Sequence, residues 1–251
     1  MKLTKDLRER YSRMLALRNF SEDDMASIMN TTVAMVGAGG LGSAALRLMA
    51  AIGFGRILII DRDVVELSNI QRQTVYNTED IGKPKAATAA RNLKKMNPNV
   101  DYEPIRASIS EENAVELLGE ADIIVDGLDS FEARRAVNRA SLALSIPYVF
   151  AGAVEYYANI STFIPGMTGC LHCVMGNAED NPENTCARIG VSPIVLSLTT
   201  SIQVQETILQ VTGREPHLAN RLMAIETSTL SFDTFEIGRA EDCPECSEQS
   251  S

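Results

Sequence analysis

The stretch Val33-Ala-Met-Val-Gly-Ala-Gly-Gly-Leu-Gly42 decides the fold. Val33 to Val36 is an apolar run of strand length. Gly37, Gly39 and Gly42 then spell G-x-G-x-x-G, and an Ala- and Leu-rich helix is predicted from about Leu41 to Ile52. A second apolar run, Arg56 to Ile60, ends at Asp61. The order is strand, glycine turn, helix, strand, acid. Glycines let the backbone turn sharply and approach a phosphate. The helix start aims unpaired N–H groups at the anion, and the acid can accept from ribose hydroxyls. A nucleotide site is expected here, with Gly40 inside the turn. The motif does not choose among NAD, FAD and ATP.

Outward from this unit the chain keeps alternating. Residues 4–19 are expected to form one helix with Leu7, Tyr11, Met14 and Leu15 on one face. Ser21 caps a short helix to about Met29. After Asp61 come Asp63 and Ser68-Asn-Ile-Gln-Arg-Gln73, a polar stretch past a strand's C-terminal end, where open α/β sheets bind ligands. Pro84 opens a helix to Met96, which puts Lys83 and Lys85 at a helix start. Cations oppose the dipole there. A polyphosphate is one explanation and plain surface lysines are another. Val100 to Ala107 reads as a strand, Ser110 as the cap of a helix to about Leu118, and Ala121 to Asp129 as a strand whose end carries Asp126 and Asp129. A helix to about Ser145 follows, then strands at Tyr148–Val154 and Asn159–Ile164. The polar run 176–184 reads as a mobile loop, with Cys186 near its end. Ser192-Pro193 caps a long apolar helix to about Val211 closed by Gly213, and Met223 to Ile237 reads as one or two strands. The expected fold is α/β: a Rossmann-like, doubly wound, mostly parallel sheet extended by antiparallel C-terminal strands. One domain is expected over 1–251, with a helical segment at 1–30, a nucleotide-binding half at 31–150 and a second half at 151–251.

The 251 residues carry a net charge of −10, which argues against tight nonspecific binding to nucleic acid or anionic membrane. No apolar leader region follows the N-terminal charges and no apolar run is long enough for a membrane span, so a cytoplasmic protein is expected. Four of the five cysteines form two C-x-x-C pairs, Cys170/Cys173 and Cys243/Cys246. Two such pairs can complete a closed tetrahedral zinc site that clips the end of the chain back onto the fold. Two redox dithiols or plain buried cysteines are the alternatives. His172 lies between two of these cysteines and is not needed as a ligand, and His217 has no visible partner in the sequence. Cys186, with Arg188 close by, is a candidate nucleophile or an idle loop cysteine. Asn69, Arg72, Lys85 and Asp129 suit a triphosphate and magnesium better than a nicotinamide, so the balance leans towards ATP.

The combination of the glycine turn, Asp61, Ser68-Asn-Ile-Gln-Arg-Gln73, Gly82-Lys-Pro-Lys85, Asp129, the two C-x-x-C pairs and Thr185-Cys186 resembles the MoeB/ThiF/HesA family, relatives of the ubiquitin-activating enzymes. The likeness runs from about Arg10 to Cys246. It implies ATP-dependent adenylation of the C-terminal glycine of a ubiquitin-like sulfur-carrier protein with a Gly-Gly tail. It further implies that Gly40 lies at the phosphates, Asp61 at the ribose, Asn69, Arg72 and Lys85 at the triphosphate, and Asp129 at magnesium. Arg13, in Arg10-Tyr-Ser-Arg13, resembles an arginine that reaches into the neighbouring subunit, which implies a homodimer. Cys186 matches a loop cysteine that joins later sulfur or thioester chemistry in some members. Ser130 stands where many members have Asn; a serine offers a hydroxyl but lacks the amide's fork. No rhodanese-like domain follows Cys246, so a sulfur donor is expected to be a separate protein. A tRNA threonylcarbamoyl dehydratase-like or small-molecule adenylating enzyme, or a silent nucleotide-binding scaffold, are the alternatives. The pathway is left open among molybdopterin and thiamine synthesis, tRNA thiolation and protein tagging.

Overall fold

The computed structural model describes residues 3–180 and 186–247, and of residues 186 and 187 the backbone only. The chain begins with α1 (Lys5–Arg10), α2 (Ser12–Leu15) and α3 (Glu22–Asn30). The repeating part follows as β1 (Thr32–Val36), α4 (Gly40–Ile52), β2 (Arg56–Ile60), α5 (Lys85–Met96), β3 (Asp101–Ile105), α6 (Ala114–Leu118), β4 (Ile123–Asp126) and α7 (Phe131–Leu144). Then come β5 (Tyr148–Val154), β6 (Tyr157–Phe163), α8 (Leu171–Met175), α9 (Cys186–Ile189), α10 (Pro193–Val211), β7 (Arg221–Glu226) and β8 (Ser231–Glu236).

The strands form one sheet in the order β3-β2-β1-β4-β5-β6-β7-β8. The first five run parallel and the last three pair antiparallel, as the alternation of elements predicts. Period-2 alternation divides the core. Val33 and Met35 face α4, α5 and the apolar side of α10, whereas Ala34 and Val36 face α6 and α7. Because β1 is buried on both faces, it needs apolar residues at every position rather than at alternate ones.

The first helix is not continuous. Tyr11 leaves helical geometry at φ −99°, ψ 12° and separates α1 from α2. Its ring fills the notch at the end of α4, where a Cβ on Gly53 would stand 2.2 Å from the hydroxyl oxygen. Asn97 donates to that hydroxyl at 3.0 Å. The predicted face of Leu7, Tyr11, Met14 and Leu15 does cover the core. The predicted Ser110 cap is also corrected. Asn113 accepts from the Ser110 N–H, and the helix starts only at Ala114. The strand expected to reach Asp129 ends at Asp126. Residues 181–185 of the predicted mobile loop, Thr185 among them, lie outside the described residues, and Cys186 opens α9 rather than sitting in a loop. The Ser21 cap and the Ser192-Pro193 start of α10 are found as read, and Asp24 completes a capping box with Ser21.

Candidate functional site

The glycine turn lies at the C-terminal end of β1, between β2 and β4, where the strand order leaves room for a ligand. Gly37 adopts φ +91°, open to glycine without strain. A Cβ on Gly42 would lie 1.9 Å from the Gly37 carbonyl oxygen, and one on Gly127 would lie 2.6 Å from it. Gly→Ala inside a helix ordinarily stabilises by about 1 kcal/mol. Here Gly42→Ala is expected to do the opposite, lowering the melting temperature and abolishing binding of an ATP analogue by calorimetry. Retained binding would mean that the turn is not the phosphate site.

Gly39 caps α4 without any side-chain acceptor, so the first N–H groups of α4 have no side-chain partner among the described residues. The next helix start in the sheet differs. At α7, Ser130 Oγ accepts from the Ala133 N–H at 3.3 Å, and Asp180 accepts from Phe131 and Glu132 at 2.7 and 3.1 Å. Ser130 is therefore first of all a helix cap. Of these two helix starts, α4 is the one open to a phosphate.

Asp61 is buried at the end of β2. Its two oxygens accept from the Ala38 and Asp63 N–H groups, each at 2.8 Å, and this fixes the turn against the acid. Each oxygen retains lone-pair capacity for a ribose hydroxyl. The Tyr76 hydroxyl donates to the Ala38 carbonyl at 2.9 Å. Burial, reinforced by Asp61, Asp63 and Asp80, pushes the Tyr76 pKa well up, so this bond keeps its proton. The sequence offered no sign of Tyr76, because a tyrosine amid polar residues reads as surface.

The run Ser68–Gln73 folds over the same end. Asn69 is buried and accepts from the Glu66 N–H at 3.0 Å, while Arg72 donates to the Ser68 carbonyl at 2.7 Å. Gln73 is buried beside Gly39, and its Oε1 has no hydrogen-bond partner among the described residues. A buried acceptor of this kind costs free energy unless a ligand donates to it. Lys85 is the first residue of α5, with its side chain only 8% exposed, and it pairs with Asp63 at 3.1 Å. It is not a plain surface lysine. Lys83 is, and it pairs with Asp80 at 3.6 Å. A buried ammonium at a helix start opposes both solvation and the dipole. Asp63 offsets part of that cost, and an incoming polyphosphate would offset more.

Asp129 is exposed in the link between β4 and α7. The link rests on a buried knot. Asp126 accepts from Arg134 Nε at 3.1 Å, from the Tyr148 hydroxyl, and from the Leu128 N–H at 2.8 Å. Arg134 also donates to the carbonyls of Leu128 and Ala151, at 2.6 and 3.0 Å. Gln203 donates to the Asp126 and Val149 carbonyls, both at 2.9 Å. Burial works against the charge on Arg134, but the adjacent Asp126 holds its pKa above the ordinary value. Asp126 thus supports the link from below rather than facing a ligand.

Arg13 does not join the cluster. It is exposed on α2, two residues after the Tyr11 peg at the far end of α4 from the glycine turn. A helix the length of α4 measures about 20 Å. Cys186 begins the backbone that leads to Val191, which packs beside Leu41, Ala151 and Leu196 at the start of α4.

The four paired cysteines meet on the α7 side of the sheet, with all four sulfurs within 4.8 Å of one another. Sγ···Sγ distances are 4.0 Å for 170–173, 3.7 Å for 170–243 and 3.5 Å for 173–246. A disulfide would bring two sulfurs to about 2 Å. Four thiolates around zinc at about 2.3 Å form a tetrahedron with edges of about 3.8 Å. The donor set therefore fits zinc. Burial pushes the Cys170 thiol up to about 11 and Cys246 higher, so thiolates at these two positions call for a cation. The Ala240 N–H also donates to Cys173 Sγ at 3.4 Å. His172 stays outside the sulfur cluster, with Nδ1 3.7 Å from Glu245. No helix among the described residues is long and apolar enough to cross a membrane.

The chain is 32% identical over 241 residues to the SAMP-activating enzyme E1 of Haloferax volcanii, covering 96% of this chain and 89% of that one. It is 31% identical over 255 residues to the sulfur carrier protein adenylyltransferase of Thermus thermophilus, covering 99% and 94%. It is 29% identical to the molybdopterin-synthase adenylyltransferase of Escherichia coli, covering 94% and 95%. Among solved structures, Escherichia coli MccB with ATP superposes with a TM-score of 0.83 at 25% identity, over 94% of this chain and 74% of that one. The ThiF family model matches residues 11–246, from the Tyr11 peg to the last clustered cysteine, and the chain belongs to the ThiF family.

Proposed function

We propose that this chain uses ATP to adenylate the C-terminal glycine of a ubiquitin-like sulfur-carrier protein and releases pyrophosphate. The observation that carries the reading is the start of α4, where Gly39 supplies no side-chain cap, tied through the Ala38–Asp61–Asp63 hydrogen bonds to a buried Lys85 that pairs with Asp63. Relatives about 30% identical over nearly the whole chain are named as a sulfur carrier protein adenylyltransferase and a molybdopterin-synthase adenylyltransferase, and a similar fold was solved with ATP.

The carrier's carboxylate attacks the α-phosphorus in line, and pyrophosphate leaves. No general base is needed, because the nucleophile is already ionised. Charge grows on the phosphoryl oxygens in the transition state, and fixed cations stabilise it without reorganising. Arg72 and Lys85 would serve this role, with Asn69 and Gln73 orienting the nucleotide and Asp61 holding the ribose. Magnesium, when bound, neutralises phosphate charge, and Asp129 is the residue that would hold it. Arg13, a helix length from its own glycine turn, would complete the site of a second copy, so a homodimer is the expected assembly. Zinc on Cys170, Cys173, Cys243 and Cys246 would be structural.

The half from 151 to 251 would bind the carrier. β7 runs parallel to β5, so the β5–β6 and β7–β8 turns lie at the same end of the sheet as the glycine turn. Tyr156, Tyr157, Leu230 and Phe232 are exposed around those turns. A carrier seated on them would have its flexible Gly-Gly tail directed along the sheet end towards the phosphates.

The reading is tested by ATP–pyrophosphate exchange with magnesium, with and without a carrier ending in Gly-Gly, in the native chain and in Cys186→Ala. Carrier-dependent exchange that survives loss of the thiol is expected, which assigns Cys186 to a later step. No exchange with any carrier from the same cell would sink the reading.

A further inference from the structure

Asp129 sits in the link 127–130, which is anchored on both sides. The upstream anchor is the buried knot, where Arg134 donates to the Leu128 carbonyl at 2.6 Å and the Leu128 N–H donates to Asp126 at 2.8 Å. The downstream anchor comes from a distant part of the chain. One oxygen of Asp180 accepts from the Phe131 N–H at 2.7 Å and the other from the Glu132 N–H at 3.1 Å, across 49 and 48 residues of sequence. The same segment is tied a second time, where Arg135 donates to the Ala178 carbonyl at 2.6 Å. The residues after Asp129 therefore depend on a carboxylate supplied by the segment that leads towards α9.

We infer that Asp180 is a positioning residue for Asp129: its carboxylate, seated bidentately on the first N–H groups of α7, fixes the backbone that aims Asp129 at the nucleotide's divalent cation. The inference rests on the proposed role of Asp129 as the magnesium aspartate. The physical case is geometric. Asp129 is exposed, and its direction is set by the backbone on either side of it. Arg134 controls one side from inside the core. Ser130 Oγ reaches only the third N–H of the helix, and Asp180 takes the first two. With Asp180 absent, those two amides turn to water and the first turn of α7 frays. Asp129 then samples orientations that a cation site cannot use. A second consequence follows from the same contact. Asp180 closes the α7 start to phosphate, so the triphosphate is left with α4 and its orientation is not shared between two helix starts.

The experiment compares Asp180→Ala, Asp180→Asn and Asp129→Asn with the native chain. Asp180 is exposed, so the alanine variant is expected to fold, with a melting temperature lowered by only about 2–4 °C, the effect of one lost helix cap. Amide hydrogen exchange is read without nucleotide. It should rise at Phe131 and Glu132 in Asp180→Ala, with a smaller rise in Asp180→Asn, which keeps one acceptor oxygen. Magnesium is then titrated in the carrier-dependent exchange assay. The half-maximal concentration should rise on the order of three- to tenfold in Asp180→Ala, the size of a lost helix cap, with a smaller change in the rate at saturating magnesium. Faster amide exchange with an unchanged magnesium midpoint would make Asp180 a helix cap only and overturn the inference. Unchanged amide exchange would overturn it as well. Asp129→Asn separates the two levels: if that variant exchanges like the native chain, the reading of Asp129 falls, whereas if it is inactive and Asp180→Ala keeps the native midpoint, only the role of Asp180 falls.

Discussion

Lys85→Ala is expected to lower kcat/KM for carrier-dependent ATP–pyrophosphate exchange about a hundred- to a thousandfold, or about 3–4 kcal/mol of transition-state stabilisation. The size follows from where the ammonium sits. Its side chain is almost fully buried at the start of α5, with Asp63 as its partner at 3.1 Å. In a water-poor pocket a fixed cation acts on phosphate charge far more strongly than it would at the surface. The same substitution should leave the fold nearly intact. Asp63 is half exposed, so its carboxylate rehydrates when the lysine is lost. Carrier affinity by calorimetry should stay near the native value, because the proposed carrier surface lies on the antiparallel half. Exchange within a few-fold of native would mean that Lys85 is a structural ion pair and that the phosphates are held elsewhere.

The second large effect concerns the cysteine cluster. One zinc per chain is expected by elemental analysis, and stripping it with a strong chelator, or Cys243→Ser, is expected to lower the melting temperature by about 10 °C. The two pairs are 73 residues apart. A cross-link closing a loop of that length removes about 4 kcal/mol of unfolded-state entropy. For a chain of this size each kcal/mol moves the midpoint by about 2–4 °C. Asn138 on α7 donates to Glu245 and accepts from the Leu171 N–H at 2.9 Å, so the loss should be felt along α7 and not at the clip alone. Four reduced thiols with no metal and an unchanged melt would return the cluster to plain buried cysteines.

The parallel half of the sheet was legible because its signals are local. Four apolar residues, three glycines and Asp61 lie within about thirty positions, and each is explained by its immediate neighbours. Ser192-Pro193 announced α10 for the same reason. The cysteine clip was legible across a long gap because thiols at C-x-x-C spacing have few other uses. What stayed hidden depends on contacts between remote segments. Asp126 at a strand end reads like Asp129 three residues later, and only burial against Arg134, Tyr148 and Gln203 tells the core acid from the exposed one. Tyr11 carries no mark of a peg until Gly53 makes room for it. Asp180 looked like one polar residue in a loop, because nothing near it in sequence shows the helix start that it caps. The magnesium, ribose and phosphate roles proposed for the site residues rest on residue type, position and the family resemblance, and the structure adds burial and partners.

The close approach of Gly37, Gly42 and Gly127 bears on how this site can change over generations. The Gly37 carbonyl is met from one side by Gly42 and from the other by Gly127. A side chain at either of the latter positions collides with backbone, and backbone cannot be trimmed by a second substitution. The three positions therefore form one unit in mutational space, with no path of tolerated single steps away from it. New specificity in descendants of this chain has to be found in what surrounds the turn: the Ser68–Gln73 run, the segment that enters α10, and the turns of the antiparallel half.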